Sequence, residues 1–229
     1  MYEFLLLDLD DTILDFHKAE YFALRKTLEH FGLDPTEEVC ARYSVINQAH
    51  WEMLERKELT REQVLVGRFE VLFSEYGLVC DASRWARCYA DTLSQGHYFL
   101  PGAVETLEML APRYRMFIVS NGTASVQHGR LKSANIGHFF EKIFISQEVG
   151  TNKPDKVFFD RCFAQIPGFD PTKALIVGDS LTSDMRGGKN AGIATCWVNP
   201  KGKSAPADLT PDYQIPSLAQ LPALLDSLQ

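Results

Sequence analysis

Three acidic side chains near the start of the chain form the first group that could do chemistry. The apolar run 4–7 predicts a buried strand, and Asp8, Asp10 and Asp11 follow it within four positions. Two carboxylates about 4 Å apart repel each other by about 4 kcal/mol at an effective dielectric of about 20. Such a cluster requires a cation or a shared proton. The sequence therefore predicts a catalytic carboxylate site that holds a divalent metal ion.

Further polar side chains fall at or just beyond the ends of later predicted strands. Because the carboxyl ends of parallel strands face one crevice, we expect these side chains to meet the first acidic cluster there. They add a hydroxyl, an amide, an ammonium group and two more carboxylates. The residues are Ser120 and Asn121 after the second strand, Lys153 in the loop after the third, and Asp179 and Asp184 after the fourth.

Strands that alternate with helices would position these residues. Short β-rich runs are separated by segments with helical patterns, which is typical of a doubly wound, mostly parallel, Rossmann-like α/β sheet. The predicted strands are 4–7, 116–119, 142–146, 174–177 and 194–198, with 213–215 as a candidate edge strand. The predicted helices between them are 102–111, 125–134, 156–165 and 183–191.

A long helical segment interrupts this alternation after the first strand. Leu24, Leu28 and Phe31 recur at i, i+4 and i+7, and three similar stripes follow before residue 96. We therefore predict an inserted all-helical cap domain, which moves on hinges near 15–17 and 96–101. The predicted domains are a catalytic core formed by 1–15 and 97–229, and a cap formed by 16–96.

Two short segments resemble capping boxes, in which a hydroxyl and a later polar side chain satisfy the first N–H groups of a helix. Thr60 and Gln63 have this spacing before the third helix of the cap. Ser217 and Gln220 have it before the last helix of the chain. Both pairs predict the residue at which a helix begins.

Composition limits the kinds of partner. With 45% hydrophobic residues the chain can bury a sizeable core, and its net charge of −7 argues against binding to nucleic-acid polymers or anionic membranes. The five cysteines are widely spaced, so we expect reduced thiols. We find neither a signal peptide nor an apolar run long enough to span a membrane. We expect a cytoplasmic protein; its oligomeric state does not follow from the sequence.

Each motif alone also has an ordinary structural explanation. Residues 10–12 could cap a helix, 120–122 could form a turn, and 178–180 could be a loop between a strand and a helix. A calcium-binding loop does not fit, because Thr12 and Ile13 occupy positions that need an acidic residue and a glycine. The occurrence of all the polar groups at strand ends favours one common site.

In order and spacing, these motifs resemble the four sequence motifs of the haloacid dehalogenase-like superfamily, over essentially the whole chain. The first motif, D-x-D-x-T, matches Asp8, Asp10 and Thr12, and the helical insertion lies where that family has its first-type cap. The resemblance implies that Asp8 is a nucleophile that becomes an aspartyl phosphate. It implies that Asp10 is the general acid and base, with Thr12 in a supporting role.

The other motifs carry over in the same way. The resemblance implies that Ser120, with Asn121, binds the phosphoryl oxygens and that Lys153 adds a fixed positive charge beside Asp8. It implies a Mg²⁺ site made by Asp8, the backbone carbonyl of Asp10, and Asp179. Asp184 would support this site.

The second aspartate of the first motif distinguishes between activities of the superfamily. Dehalogenases lack it because a halide leaves without a proton, so Asp10 favours phosphoester hydrolysis. Asp10 also speaks against a noncatalytic phosphoryl receiver or scaffold, because a carboxylate that activates water shortens the life of an acyl phosphate. Phosphonatases use a cap lysine; nothing in the sequence gives Lys57 that role.

The cap must choose the substrate, which we expect to be a small phosphorylated metabolite. The segment 11–16 and the cap length are similar to those of the 5′-nucleotidase branch that includes pyrimidine nucleotidases. Phe16, His17, Trp51 and Arg68 are candidates to touch a base or sugar, although aromatic residues on bundle helices more often belong to the core. The alternative substrate is a metabolite such as phosphoglycolate or a sugar phosphate.

Overall fold

The computed structural model describes residues 1–228 and contains one six-stranded parallel sheet. The strand order is β3-β2-β1-β4-β5-β6, so β1 lies in the interior of the sheet between β2 and β4. This agrees with the predicted doubly wound α/β fold, and the predicted edge strand is β6. The strands are β1 Phe4–Leu7, β2 Arg115–Ser120, β3 Lys142–Ile145, β4 Ala174–Gly178, β5 Ala194–Val198 and β6 Tyr213–Ile215.

Ten α-helices are found in the described residues. The first four follow β1 directly, and we call α1–α4 the cap helices; the remaining elements are called the core. The helices are α1 Phe16–His30, α2 Glu37–Glu55, α3 Arg61–Glu75, α4 Ala82–Leu93, α5 Ala103–Leu110, α6 Ala124–Ala134, α7 Ser146–Val149, α8 Lys156–Phe163, α9 Arg186–Ala191 and α10 Leu221–Ser227.

Both faces of the sheet are buried under helices. Successive side chains of β1 point in opposite directions, so alternate residues pack on each face. Leu5 and Leu7 pack in one apolar cluster with residues of α5 and α10. Phe4 and Leu6 pack in another cluster with Phe158 and other residues of α8. Burial on both faces explains why the strand sequences are continuous apolar runs without alternation.

The cap helices have an apolar cluster of their own. Its aromatic members lie close together, with ring centroids of Tyr43 and Phe69 5.2 Å apart and those of Phe69 and Tyr89 5.7 Å apart. α1–α4 lie within the range 16–96 predicted for the cap. The exact domain boundaries remain a prediction.

The two segments that join the cap helices to the core pair with each other. Leu14 and Phe99 form an antiparallel bridge, and the N–H of Asp15 donates to the carbonyl of Tyr98 at 2.8 Å. The N–H of Leu100 donates to the carbonyl of Ile13 at 3.0 Å. Both connections therefore leave the core side by side, next to the end of β1.

The structure differs from the predicted elements in a few places. Ser146 begins the short helix α7 and does not extend β3. The predicted helix 183–191 starts as one turn of π-helix, Leu181–Met185, before α9. The capping box predicted at Ser217 is wrong, because its side chain makes no capping hydrogen bond.

Candidate active site

The ammonium group of Lys153 lies at the centre of the site. It donates to Asp8 Oδ1 at 2.7 Å, to Asp184 Oδ1 at 2.6 Å and to the carbonyl of Val119 at 2.6 Å. Lys153, Asp8 and Asp184 are all buried. The end of β1, the end of β2, the loop before α8 and the π-helical turn after β4 thus meet at one charged cluster, at the carboxyl edge of the sheet.

A third carboxylate, that of Asp179, lies beside the two that contact this ammonium group. Oxygen atoms of Asp8, Asp179 and Asp184 all lie within 4.8 Å of one another. With these three negative charges and the single positive charge of Lys153, the cluster has a formal charge of −2. A divalent cation would neutralise that charge.

Burial and mutual repulsion shift the pKa values of these groups. Burial, together with the charges of Asp184 and Asp10, raises the pKa of Asp8 from 3.8 to about 8 despite the opposing effect of Lys153. Burial and the neighbouring carboxylates also hold the pKa of Asp179 well above its usual range. Burial alone would lower the pKa of Lys153, but Asp184 and Asp8 together raise it, so the ammonium group stays charged.

The donor set fits Mg²⁺. All three side chains offer carboxylate oxygens, the hard ligands that Mg²⁺ prefers. Asp184 is already held by Lys153 and by the N–H of Ser180, which donates to Oδ2 at 3.1 Å. Asp8 and Asp179 are therefore the freer ligands.

The carboxylate of Asp10 points to α6 and not to this cluster. Its Oδ1 accepts from Arg130 Nη1, and its Oδ2 accepts from Gln127 Nε2 at 2.6 Å. Gln127 Nε2 also donates to Ser120 Oγ at 2.8 Å, so one amide connects two of the predicted site residues. Gln127 and Arg130 were not predicted from the sequence; both are buried polar side chains three positions apart on one helix.

Ser120 and Asn121 hold the loop that follows β2. Ser120 Oγ accepts from the N–H of Gly122 at 3.1 Å. The side chain of Asn121 pairs with the backbone of Lys153: Nδ2 donates to the carbonyl at 2.9 Å, and Oδ1 accepts from the N–H at 2.8 Å. This side chain positions Lys153, so a phosphate contact from Asn121, which stays a prediction, would use its backbone N–H.

The turn between β1 and the cap helices contains the rest of the first motif. Asp11 has a positive φ of 54°, and its Oδ1 accepts from the N–H of Phe16 at 2.9 Å. Burial raises the pKa of Asp11, against the effect of His17 nearby. The hydroxyl of Thr12 is buried and has no hydrogen-bond partner among residues 1–228. The supporting role of Thr12 stays a prediction.

A cleft of about 1950 Å³ separates the charged cluster from the cap helices. The core wall includes Asp8, Asp10, Ser120, Lys153 and Asp179. The lining also includes all four cap residues suggested as base or sugar contacts, namely Phe16, His17, Trp51 and Arg68. Phe16 and His17 lie beside Asp11 at the start of α1, whereas Trp51 and Arg68 belong to α2 and α3. The cleft is therefore large enough for a metabolite that contacts both walls.

Arg61, the first residue of α3, joins the two walls and was missed by the sequence analysis. Its Nη1 donates to the carbonyls of Asn121 and Gly122 at 2.9 and 3.0 Å. Its Nη2 donates to Ser146 Oγ at 2.6 Å and to Asn152 Oδ1 at 2.8 Å. Burial lowers the pKa of Arg61. One cap side chain thus reaches the loops after both β2 and β3.

Comparison with known families gives the site its context. The model of the family described as haloacid dehalogenase-like hydrolase matches residues 5–198, which include every residue of the site described above. The chain belongs to this family. Haloacid dehalogenase-like hydrolases generally use Mg²⁺, which agrees with the buried carboxylate cluster.

One similar member of the family is the HAD-hydrolase YfnB of Bacillus subtilis. It is 39% identical over 225 residues, which are 98% of this chain and 96% of YfnB. The crystal structure of YfnB bound to magnesium, described as revealing interdomain movement, matches with a TM-score of 0.94 and covers 98% of this chain and 99% of that one.

Two further similar members are named pyrimidine 5′-nucleotidases. PynA of Streptococcus pneumoniae is 38% identical over 98% of this chain and 95% of its own length. YjjG of Escherichia coli is 29% identical over 98% of both chains. The L-2-haloacid dehalogenase of Xanthobacter autotrophicus shares the fold, with a TM-score of 0.77 over the full length of both chains, at only 19% identity. The family is therefore a hydrolase family with phosphatases among the full-length relatives of this chain.

Proposed function

We propose that this protein is a Mg²⁺-dependent phosphomonoester hydrolase that forms an aspartyl phosphate on Asp8. The observation that supports this most strongly is the contact of the Lys153 ammonium group with Asp8, beside Asp179 and facing the cleft. A carboxylate can attack phosphorus without first losing a proton. Because burial raises the pKa of Asp8, its ionised form would depend on the charge of Lys153 together with that of a bound divalent cation.

The first half of the reaction forms the intermediate. An oxygen of Asp8 bonds to phosphorus, the bond from phosphorus to the leaving oxygen breaks, and Asp10 gives its proton to that oxygen. Ser120 Oγ and the N–H groups of the following loop bind the phosphoryl oxygens, and the nearby positive charge of Lys153 stabilises them electrostatically. When bound by Asp8 and Asp179, Mg²⁺ would offset the negative charge that builds up on the phosphoryl group.

The second half releases phosphate. Asp10 takes a proton from a water molecule, the water oxygen bonds to phosphorus, and the bond from phosphorus to Asp8 breaks, which regenerates the free carboxylate. In the structure both oxygens of Asp10 accept hydrogen bonds, one from Arg130 and one from Gln127. Proton transfer by Asp10 requires that at least one of these bonds is released.

We further propose that the substrates are pyrimidine nucleoside 5′-monophosphates. The relatives named pyrimidine 5′-nucleotidases support this proposal, because they match this chain over nearly its full length. The cleft also supports it, because its far wall contains both an indole ring and a buried guanidinium group, on Trp51 and Arg68. The five free thiols are consistent with the reducing cytoplasm, where we expect the enzyme to act.

A hydrolysis screen of the purified protein tests the proposal. We expect Mg²⁺-dependent phosphate release from UMP, dTMP and CMP, with slower release from ribose 5-phosphate, phosphoglycolate and p-nitrophenyl phosphate. Preference for phosphoglycolate or a sugar phosphate would replace the nucleotidase proposal by the alternative. Chloride release from 2-chloropropionate without phosphatase activity would overturn the whole proposal, and no turnover of any substrate would favour a receiver or scaffold.

A further inference from the structure

A buried polar cluster in the cap helices takes no part in the chemistry described above. Asn47 Nδ2 donates to Glu20 Oε1 at 2.6 Å, and Arg68 Nη1 donates to Asn47 Oδ1 at 2.7 Å. These three side chains come from α1, α2 and α3, and they are 4%, 2% and 3% exposed, respectively. We call Glu20, Asn47 and Arg68 the cap triad.

The hydrogen bonds within residues 1–228 leave the cap triad incomplete. Glu20 Oε2 accepts no hydrogen bond from the described residues, and Arg68 Nη2 donates none to them. The two charged groups also form no salt bridge with each other; the amide of Asn47 lies between them. The Arg68 guanidinium group packs on the ring of Tyr89, 4.8 Å from its centroid, and neither of the two free atoms is sealed from solvent. All three side chains line the cleft opposite Asp8, so a bound molecule could complete these bonds.

The chemistry of the cap triad limits what that molecule can be. A carboxylate only accepts hydrogen bonds, and a guanidinium group only donates them. The matching molecule therefore carries an N–H group and a carbonyl oxygen on one edge. Trp51, whose Nε1 donates to Asn47 Oδ1 at 3.1 Å, adds an aromatic surface in the same cleft, which suits a planar heterocycle.

We propose that the cap triad binds the N3–H and the neighbouring carbonyl of a uracil-type base, with Glu20 as the acceptor and Arg68 as the donor. This inference rests on the proposed nucleotidase function and adds the residues that select the base. The same cluster also joins three cap helices, so the test must separate base recognition from a purely structural role.

N3-methyl-UMP, which lacks the N3–H group of the base, distinguishes base recognition from a structural role. For the wild-type protein, we expect kcat/KM for N3-methyl-UMP to be about 10- to 100-fold below that for UMP, because a hydrogen bond to a charged group contributes about 1.5–3 kcal/mol. For Glu20→Gln, an isosteric variant that loses the carboxylate, we expect this ratio to shrink to less than about 3-fold. A structural role alone would lower turnover of both nucleotides equally and leave their ratio unchanged.

A control variant and a sugar phosphate that carries no base separate the remaining explanations. Ser44→Ala removes another side chain of α2 that lines the cleft, and it should keep the wild-type ratio. Equal turnover of UMP and N3-methyl-UMP by the wild-type protein would overturn the assignment of the cap triad while leaving a nucleotidase in place. If ribose 5-phosphate is hydrolysed as well as UMP, the nucleotidase proposal itself fails, and base recognition fails with it.

Discussion

Lys153 provides the positive charge on which the core site depends. It is 1% exposed and, among residues 1–228, is the one cation in contact with both Asp8 and Asp184. Removing one partner of a buried ion pair leaves an uncompensated charge and typically costs about 3–5 kcal/mol. We expect Lys153→Met to lower the free energy of unfolding in urea by about that amount and to abolish phosphatase activity.

Lys156 is the matched control for this variant. It lies three positions further along the chain, and its ion pair with Asp160 is exposed to solvent, where such pairs contribute little. Lys156→Met should keep wild-type stability and turnover. A Lys153→Met protein that is as stable and active as the Lys156→Met protein would show that the ammonium group has neither role.

The raised pKa values of Asp8 and Asp179 make stability depend on pH and on metal. In the metal-free protein the folded state keeps protons that the unfolded state releases, so stability should fall as the pH rises from about 4 to about 8. Mg²⁺ replaces these protons, so its binding should strengthen over the same range. At 100 times its Kd it would add about 2.7 kcal/mol, or about 5–10 °C in Tm.

Thermal unfolding at pH 5 and pH 8, with Mg²⁺ or with EDTA, measures both effects. The increase in Tm caused by Mg²⁺ should be larger at pH 8 than at pH 5, and Asp179→Asn should largely remove it. An increase in Tm that is the same at both pH values would mean that protons and metal do not compete at this cluster.

The site residues that are easiest to predict from the sequence are charged residues at positions where such residues are uncommon. An aspartate directly after an apolar strand is conspicuous, so Asp8 and Asp179 could be selected. Lys153, in the loop after the third strand, was selected as a member of the motif set, and the structure brings all three together. Gln127 and Arg130 lie on a helix with many polar residues. Nothing in the chain itself distinguishes them from solvent-exposed residues, because their burial depends on packing against distant segments.

Among the secondary-structure elements, one of the two predicted capping boxes is formed, at Thr60, and the other, at Ser217, is not. Thr60 and Gln63 form the complete reciprocal pair, with Gln63 Oε1 accepting from the N–H of Thr60 at 2.8 Å. At Ser217 the chain first makes a 3₁₀ turn, Leu218–Gln220, and α10 then starts with Pro222 in its first turn. A proline needs no N–H partner, so that helix can begin without the hydroxyl cap.

The start of α3 also carries Arg61, which connects the cap helices to two core loops. Its four hydrogen bonds have neutral acceptors on the loops that follow β2 and β3. We expect Arg61→Ala to weaken cap docking and to reduce kcat/KM for the preferred nucleotide by about 10- to 100-fold, in line with the loss of a hydrogen bond from a charged group. Steady-state kinetics would measure this change.

Lys57 offers a control from the same part of the cap helices. Its ion pair with Asp155 also joins cap and core, with an Nζ to Oδ2 distance of 2.9 Å, but the lysine side chain is 79% exposed. Lys57→Ala should therefore change kcat/KM by less than about 2-fold. Equal effects of the two variants would mean that Arg61 is no more important than a surface contact.

At the scale of the whole molecule, the alternation of strands and helices was sufficient to predict the sheet. The parallel sheet and the burial of both its faces follow from continuous apolar runs that alternate with helices. The strand order β3-β2-β1-β4-β5-β6 was not predicted. The position of the cap helices over the cleft could not be predicted from the sequence. It depends on a few long-range contacts, such as those of Arg61 and Lys57, which leave no periodic pattern in the sequence.

The paired connections between cap and core predict that the cap helices open and close during turnover. Lys57→Cys/Asp155→Cys, in a chain whose exposed Cys80 is replaced by serine, places two thiols where the Lys57–Asp155 ion pair now joins the two parts. A short reducible crosslinker should lower turnover at least about 10-fold, because substrate entry and water access need an open cleft. Reduction of the crosslink should restore the rate; full activity while crosslinked would contradict cap movement.

In the proposed mechanism, phosphorus becomes bonded to Asp8 during turnover. Asp10→Asn should slow the release of phosphate from the intermediate while still allowing it to form from p-nitrophenyl phosphate, whose leaving group needs no proton. The most direct measurement is mass spectrometry of peptides from acid-quenched Asp10→Asn protein after mixing with this substrate and Mg²⁺. We expect one phosphoryl group on Asp8 and none in Asp8→Asn. Release of nitrophenol without a phosphoryl group on Asp8, or with one on another residue, would contradict the account.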